Sequence, residues 1–196
     1  MKVVILKYSS GNIQSIKMAL TKIKVKSKIS DQPEDIMTAD KVIIPGVGEA
    51  RTAMNYLYKT GLNQLIPKLK KPVLGICLGM QLLCEKSEEN NTSCLNIFDI
   101  TVKKFVNTNS VKIPHIGWNT IYNLKGTLFN SLKDEIYQYF AHSYYVPVNS
   151  HTISLTKYIN TYSSGIQKEN FYGVQFHPEK SGILGYKILQ NFIKYV

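Results

Sequence analysis

The residues in this 196-residue chain whose types and spacing could do chemistry begin at Cys77. Pro72-Val73-Leu74-Gly75-Ile76-Cys77-Leu78-Gly79-Met80-Gln81 predicts an apolar strand running into Gly-x-Cys-x-Gly and then a helix. Such a sharp strand-to-helix turn holds a nucleophile out over the edge of a sheet, and glycines two positions to either side let backbones approach closely. A helix N-terminus behind Cys77 would favour a thiolate through its partial positive charge. Taken alone, the pattern serves equally a buried cysteine whose glycines are needed only for packing.

A partner for that thiolate lies near the other end, in Gly173-Val174-Gln175-Phe176-His177-Pro178-Glu179-Lys180. Pro178 biases His177 toward extended geometry, and residues two apart in an extended segment face the same side, so Glu179 is expected beside His177. A carboxylate there fixes the imidazole tautomer and stabilises the imidazolium formed when histidine takes a proton. His-Pro-Glu by itself reads more simply as a turn histidine with a solvated glutamate. The two motifs together, with the cysteine on a strand-to-helix turn, shift that balance toward nucleophilic catalysis.

The elements that must position these residues follow from apolar periodicity. Val3–Leu6, Val42–Ile44 and Val73–Ile76 read as strands, and residues 13–23, 50–69 and 78–86 as helices. Strands this apolar have no wet face, which implies a mostly parallel sheet covered on both sides. The turns at residues 9–12 and 45–48 and the Cys77 turn then share the carboxyl edge of that sheet, where ligands bind in such folds. The second half is richer in β-branched and aromatic residues. Segments 100–106, 116–122, 136–140, 144–148, 152–157 and 171–175 read as strands, several of them antiparallel, before a helix over 181–195. No linker or repeat divides the chain, and 196 residues suit one core, so a single domain spanning 1–196 is expected.

Gly75-Ile76-Cys77-Leu78-Gly79-Met80-Gln81 and Phe176-His177-Pro178-Glu179 resemble the signatures of the class I glutamine amidotransferases. The resemblance extends to Pro45-Gly46-Val47-Gly48, to the run from Lys112 to Asn119, to His142-Ser143-Tyr144-Tyr145 and to residues 173–181, in the family's order and over nearly the whole length. It implies a flavodoxin-like α/β fold: a mostly parallel sheet with helices on both faces and additional antiparallel strands in the second half. It also implies hydrolysis of glutamine to glutamate and ammonia through a thioester on Cys77, with His177 as general base and acid and Glu179 as its orienter. Backbone N–H groups of Leu78 and Val47 would form the oxyanion hole. Gly48, Gln81, His142, Ser143 and Tyr144 would line the glutamine pocket. Asn12, Trp118 and Lys180 would face a partner.

That partner, by the same resemblance, is a cyclase or synthase subunit with a (β/α)8 barrel, joined in a heterodimer and consuming the ammonia to make imidazole glycerol phosphate and aminoimidazole carboxamide ribotide in histidine biosynthesis. The alternative is a paralogous glutaminase supplying ammonia for amidination of a surface-polysaccharide sugar. A non-catalytic regulatory subunit of the same fold is a third possibility, and the intact Cys77, His177 and Glu179 argue against it. The resemblance implies no cofactor and no metal. Three departures bear on the partner rather than the chemistry: Lys7 stands where an acid is usual and Ser9 where a glycine is, Glu49-Ala50 follows the Gly-Val-Gly turn, and residues 94–99 lack the expected glycines and proline.

Composition narrows the remaining classes. No run approaches the eighteen or more apolar residues of a membrane span, and the apolar start turns polar at Lys7, so a cytoplasmic protein is expected. The net charge of +11 would raise nucleic-acid binding, but Arg51 is the single arginine and the lysines are scattered, which reads as a solvated surface. Three cysteines without C-x-x-C spacing fit neither a disulfide framework nor a zinc site. Cys84 is expected to pack on the helix after the elbow, and Cys94 to follow an exposed loop over 88–93. His115 and His151 read as structural or solvated.

Overall fold

A computed structural model describes residues 1–8, 12–106 and 111–196. Its first half alternates strand and helix: β1 (Val3–Leu6), α1 (Ile13–Lys22), β2 (Ser27–Ser30), α2 (Pro33–Met37), β3 (Lys41–Ile44), α3 (Ala50–Lys59), α4 (Leu62–Leu65), β4 (Val73–Ile76) and α5 (Leu78–Leu82). The second half is mostly strand: β5 (Cys84–Ser87), β6 (Thr92–Ser93), β7 (Phe98–Lys104), β8 (His115–Ile121), β9 (Ile136–His142), β10 (Tyr144–Tyr145), β11 (Thr152–Lys157), β12 (Thr161–Lys168) and β13 (Phe171–Val174), closed by α6 (Gly182–Tyr195).

The main sheet has seven strands in the order β11-β12-β13-β4-β3-β1-β2. From β13 to β2 every pairing is parallel, and β11 and β12 join antiparallel at one end. The central strands are apolar throughout because both faces are covered. Val4 and Leu6 pack with Ala53, Met54 and Leu57 of α3, while Val3 and Ile5 pack on the other face with Ile16 and Leu20 of α1 and Ile188, Leu189 and Phe192 of α6. Successive residues of a strand point to opposite faces, so each run feeds both layers. Two smaller sheets, β10-β7-β5-β6 and the β8-β9 ladder, complete the second half.

Several expected elements change on folding. The helix expected over 78–86 stops at Leu82, and Cys84 opens β5 instead of sitting on a helix, because this stretch pairs in parallel with β7. The helix expected over 50–69 breaks at Gly61, whose φ of 71° is left-handed backbone, and resumes as α4 and a short 3₁₀ turn. Strand 144–148 shrinks to β10, with Val146 adding one isolated bridge to Ser163. β2, α2, β6 and β12 were not anticipated, β6 arising within the stretch expected to be an exposed loop. The turn expected at residues 9–12 is described only at Asn12, its first three residues lying outside the described ones. No helix among the described residues is long and apolar enough to cross a membrane.

Candidate active site

Four parallel strands deliver the site to one sheet edge. β1 ends before Lys7, β3 before the Pro45–Gly48 turn, β4 before Cys77 and β13 before Gln175. The fourth strand explains how a histidine a hundred residues from Cys77 arrives beside it. β13 lies next to β4 with Val174 opposite Ile76, and the Cys77 amide donates to the Val174 carbonyl at 2.7 Å.

Cys77 occupies the elbow with φ 51° and ψ −108°, a positive φ that a side chain rarely adopts. The crossing there is tight. A Cβ on Gly46 would lie 2.2 Å from the Ile76 carbonyl oxygen and 2.5 Å from the Leu78 nitrogen, and one on Gly79 would lie 2.1 Å from the Ile44 carbonyl oxygen. Glycine at both positions therefore brings the Pro45–Gly48 turn against the start of α5. Tyr8, just after β1, donates its hydroxyl to the Pro45 carbonyl and braces the turn from the other side.

His177 Nδ1 donates to Glu179 Oε1 at 2.7 Å, with both side chains fully buried. His177 is extended, as expected before a proline, at φ −102° and ψ 92°, but Pro178–Lys180 is a 3₁₀ turn, so Glu179 reaches the ring by a turn and not along an extended segment. β9 fixes the turn, since the Tyr139 carbonyl accepts from the His177 amide at 2.8 Å and the Ser181 hydroxyl accepts from the Tyr139 amide at 2.9 Å. His177 Nε2 has no hydrogen-bond partner among the described residues. Burial pushes the ring's pKa down, but negative charge at Cys77 and then the Glu179 carboxylate more than offset it and hold it up at about 10. An imidazolium beside a sulfur is the charge pattern of an activated cysteine.

A cleft of about 240 Å³ opens beside Cys77, and it is lined by Val47, Gly48, Leu78, Gln81, His142, Ser143 and Tyr144. These are all the residues expected for the oxyanion hole and the substrate pocket. The cleft also contains Glu89, Pro114 and Ile116, which sequence reasoning missed. Glu89 sits in a 3₁₀ turn inside the polar stretch expected to be an exposed loop, and its Oε2 accepts from the Ala50 amide at the start of α3, 2.8 Å away. Burial raises its pKa, with the Ala50 hydrogen bond opposing. Nothing in the local sequence distinguishes Glu89 from its neighbour Glu88, which pairs with Lys103 at the surface.

Asn12, Trp118 and Lys180 form a second group next to the first. Asn12 donates to Glu179 Oε1, Lys180 Nζ stands 5.7 Å from the centre of the Tyr139 ring, and Trp118 meets the same ring edge-on at 6.1 Å. Trp118 is 56% exposed, so it does not belong to the core. Tyr139, which no motif reading picked out, joins its cross-strand neighbour Trp118 and Lys180 of the 3₁₀ turn into one surface beside the triad.

The remaining candidates are structural. His115 is buried rather than solvated, and His151 packs edge-on against Phe98. Burial pushes the Cys84 thiol far up and the Cys94 thiol up to about 12, so both are inert packing groups. Cys94 itself is buried, not loop-exposed. Lys7 lies 4.0 Å from Asp31, which meets its reversed charge within this chain, and Glu49 caps α3 by accepting from the Arg51 and Thr52 amides.

A family model described as "Glutamine amidotransferase class-I" matches residues 4–195. The chain is 51% identical over 194 residues to the imidazole glycerol phosphate synthase subunit HisH of Bacteroides thetaiotaomicron, covering 98% of this chain and 99% of that protein. It is 44% identical over 196 residues to the subunit of the same name from Escherichia coli strain K12, covering 99% of this chain and all of the relative. Among solved structures, a glutamine amidotransferase from Thermotoga maritima superposes with a TM-score of 0.63 at 18% identity over 98% of this chain and 80% of that one. PurLQS from the same organism gives 0.68 at 18% over 99% and 98%. At these identities the structural likeness establishes the fold alone.

Proposed function

Since the chain belongs to the class I glutamine amidotransferases, we propose that it hydrolyses glutamine at Cys77 and releases ammonia to a synthase subunit in histidine biosynthesis. The observation that carries the reading is the buried His177–Glu179 pair, 2.7 Å apart, whose ring is held cationic by Cys77, the residue that lines the cleft. Cys77 thiolate attacks the amide carbon, and negative charge moves to the amide oxygen. Backbone N–H groups of Leu78 and Val47 meet that oxyanion, a kind of contact worth roughly 2.7–4 kcal/mol per donor. The imidazolium of His177 gives its Nε2 proton to the departing nitrogen, which leaves as ammonia and a thioester remains. Neutral His177 then takes a proton from water, the hydroxide attacks the thioester, and glutamate leaves as the sulfur regains its electron pair.

Glu179 holds the Nδ1–H of the ring throughout. Within the cleft, Glu89 is the carboxylate suited to the substrate's ammonium group. Gln81 donates both amide hydrogens inside the protein, to the Tyr144 carbonyl and to Gln175 Oε1, so toward glutamine it offers its carbonyl oxygen. Gly48, His142, Ser143 and Tyr144 shape the remaining wall. Asn12, Trp118 and Lys180 form the docking face for a (β/α)8-barrel partner in a cytoplasmic heterodimer. The approach of Lys7 to Asp31, 4.0 Å away within this chain, supports the histidine reading over sugar amidination.

The test is covalent. An electrophilic diazoketone analogue of glutamine should label Cys77 and neither Cys84 nor Cys94, and excess glutamine should protect it. Labelling spread over all three, or none at Cys77, would overturn the assignment.

A further inference from the structure

Gln175 is fully buried beside the nucleophile, and although it lies within the segment that carries His177, no motif assigned it a role. Its place follows from register. Val174 is opposite Ile76, so the next residue on each strand, Gln175 and Cys77, emerge side by side at the sheet edge. Gln175 Nε2 lies 3.6 Å from Cys77 Sγ, within reach of an N–H···S hydrogen bond.

Which end of the amide faces the sulfur is fixed by its neighbours. A backbone carbonyl only accepts, so the Gln81 atom 3.0 Å from the Tyr144 oxygen is Nε2. The same nitrogen lies 3.0 Å from the far end of Gln175, which must be its accepting Oε1. Only the amino end of Gln175 remains for Cys77.

The same logic runs outward. His142 Nδ1 donates to the Tyr144 carbonyl at 2.7 Å, leaving Nε2 as an acceptor within reach of the Tyr162 hydroxyl at 3.1 Å and of His115 Nδ1 at 3.2 Å, the two donors themselves 3.3 Å apart. His115 Nε2 in turn accepts from Asn119 Nδ2 at 3.3 Å, and Asn119 is oriented by donating to the Lys157 carbonyl at 3.0 Å. Each donor finds an acceptor with both rings neutral. Burial, the main cause, holds His142 down at about 3 and His115 at about 4, so the chain stays uncharged at neutral pH.

We propose that Gln175 is a catalytic residue: its Nε2–H, aimed by Gln81, which the Tyr144 carbonyl in turn orients, donates to the Cys77 sulfur and stabilises the thiolate before attack and again as the thioester breaks. This rests on Cys77 being the nucleophile. Charge-assisted hydrogen bonds of this kind are the strong ones, and removing one is expected to lower the rate about 10–100-fold.

The experiment uses the full chain with its synthase partner. Gln175→Leu keeps the volume and removes the donor, while Gln175→Glu keeps the shape and turns an acceptor toward the sulfur. Glutamine-dependent kcat/KM should fall about 10–100-fold in Gln175→Leu and further in Gln175→Glu. Alkylation of Cys77 by iodoacetamide should slow in parallel, and turnover with an ammonium salt should persist. A purely structural role would lower thermal stability without slowing alkylation of the folded protein, so wild-type alkylation in Gln175→Leu would overturn the proposal. Should neither variant fold, the side-chain amide hydrogens of Gln175 decide: they should exchange more slowly in the wild type than in Cys77→Ala, and equal rates would refute the bond. If the glutamine-like diazoketone fails to label Cys77 in the wild type, the reading of the whole site falls instead.

Discussion

His177 Nδ1 and Glu179 Oε1 are 2.7 Å apart with no part of either side chain exposed, and this contact ties the protonation of the site to the stability of the fold. The ring's pKa rises from 6.5 to about 10 on folding. A group whose pKa is raised contributes stability that is fully present below its unfolded value, here about 6.5, and is lost as pH climbs through about 10. We expect the His177 ring to be cationic at pH 8 by NMR, and to move toward neutrality in Cys77→Ala and Glu179→Gln, because those changes remove the groups that raise it. A neutral His177 at pH 8 in the wild type would contradict the ion-pair description.

The glycines of the elbow separate catalytic geometry from simple backbone strain. Gly79→Ala places a Cβ 2.1 Å from the Ile44 carbonyl oxygen, so either the turn or the strand must shift. Destabilisation of at least about 1–3 kcal/mol and loss of glutamine hydrolysis are expected. Gly61→Ala meets no neighbour within 4 Å and suffers only its φ of +71°. It should lose about 1–2 kcal/mol and keep wild-type turnover. Calorimetry paired with a glutaminase assay distinguishes the two. Full activity in Gly79→Ala would show that the close crossing is not needed for the chemistry.

Much of this was legible in the sequence, and the pattern of what was not has a physical basis. The central strands announce themselves because both of their faces are buried, as Val3 to Leu6 and Val73 to Ile76 are. β5, by contrast, carries exposed Glu85 and Lys86 and owes its existence to β7 alongside it, a contact no local pattern encodes. β12 hides its strand character behind Ser163-Ser164-Gly165, small residues that suggest a turn but are buried under neighbouring strands. At the site, Cys77, His177 and Glu179 are marked by their motifs, whereas Glu89 and Tyr139 reach it only through positions that the fold supplies, and the contact of Gln175 with Cys77 depends on the pairing of β13 with β4. The Lys7 departure looked like an altered interface because Asp31, which answers it, is far away in sequence.

Trp118 and Lys180 should matter to assembly and not to folding. The indole is more than half exposed and meets the Tyr139 ring edge-on, the same ring the Lys180 ammonium approaches. Trp118→Ala is expected to leave the melting temperature nearly unchanged and to weaken binding to the barrel partner by about 2 kcal/mol or more, as buried aromatic anchors at interfaces do. Titration calorimetry and thermal unfolding test this together. Unchanged affinity with a large loss of stability would return Trp118 to the fold.

Cys77→Ala offers the most direct measurement of the central claim. With its synthase partner present, the variant is compared for turnover driven by glutamine and turnover driven by an ammonium salt. Triad members act as a unit, so glutamine-driven turnover should fall by several orders of magnitude while ammonium-driven turnover remains near wild type. Glutamine-driven turnover that survives the substitution at close to the wild-type rate would contradict the assignment of Cys77 as nucleophile and, with it, the account of the site.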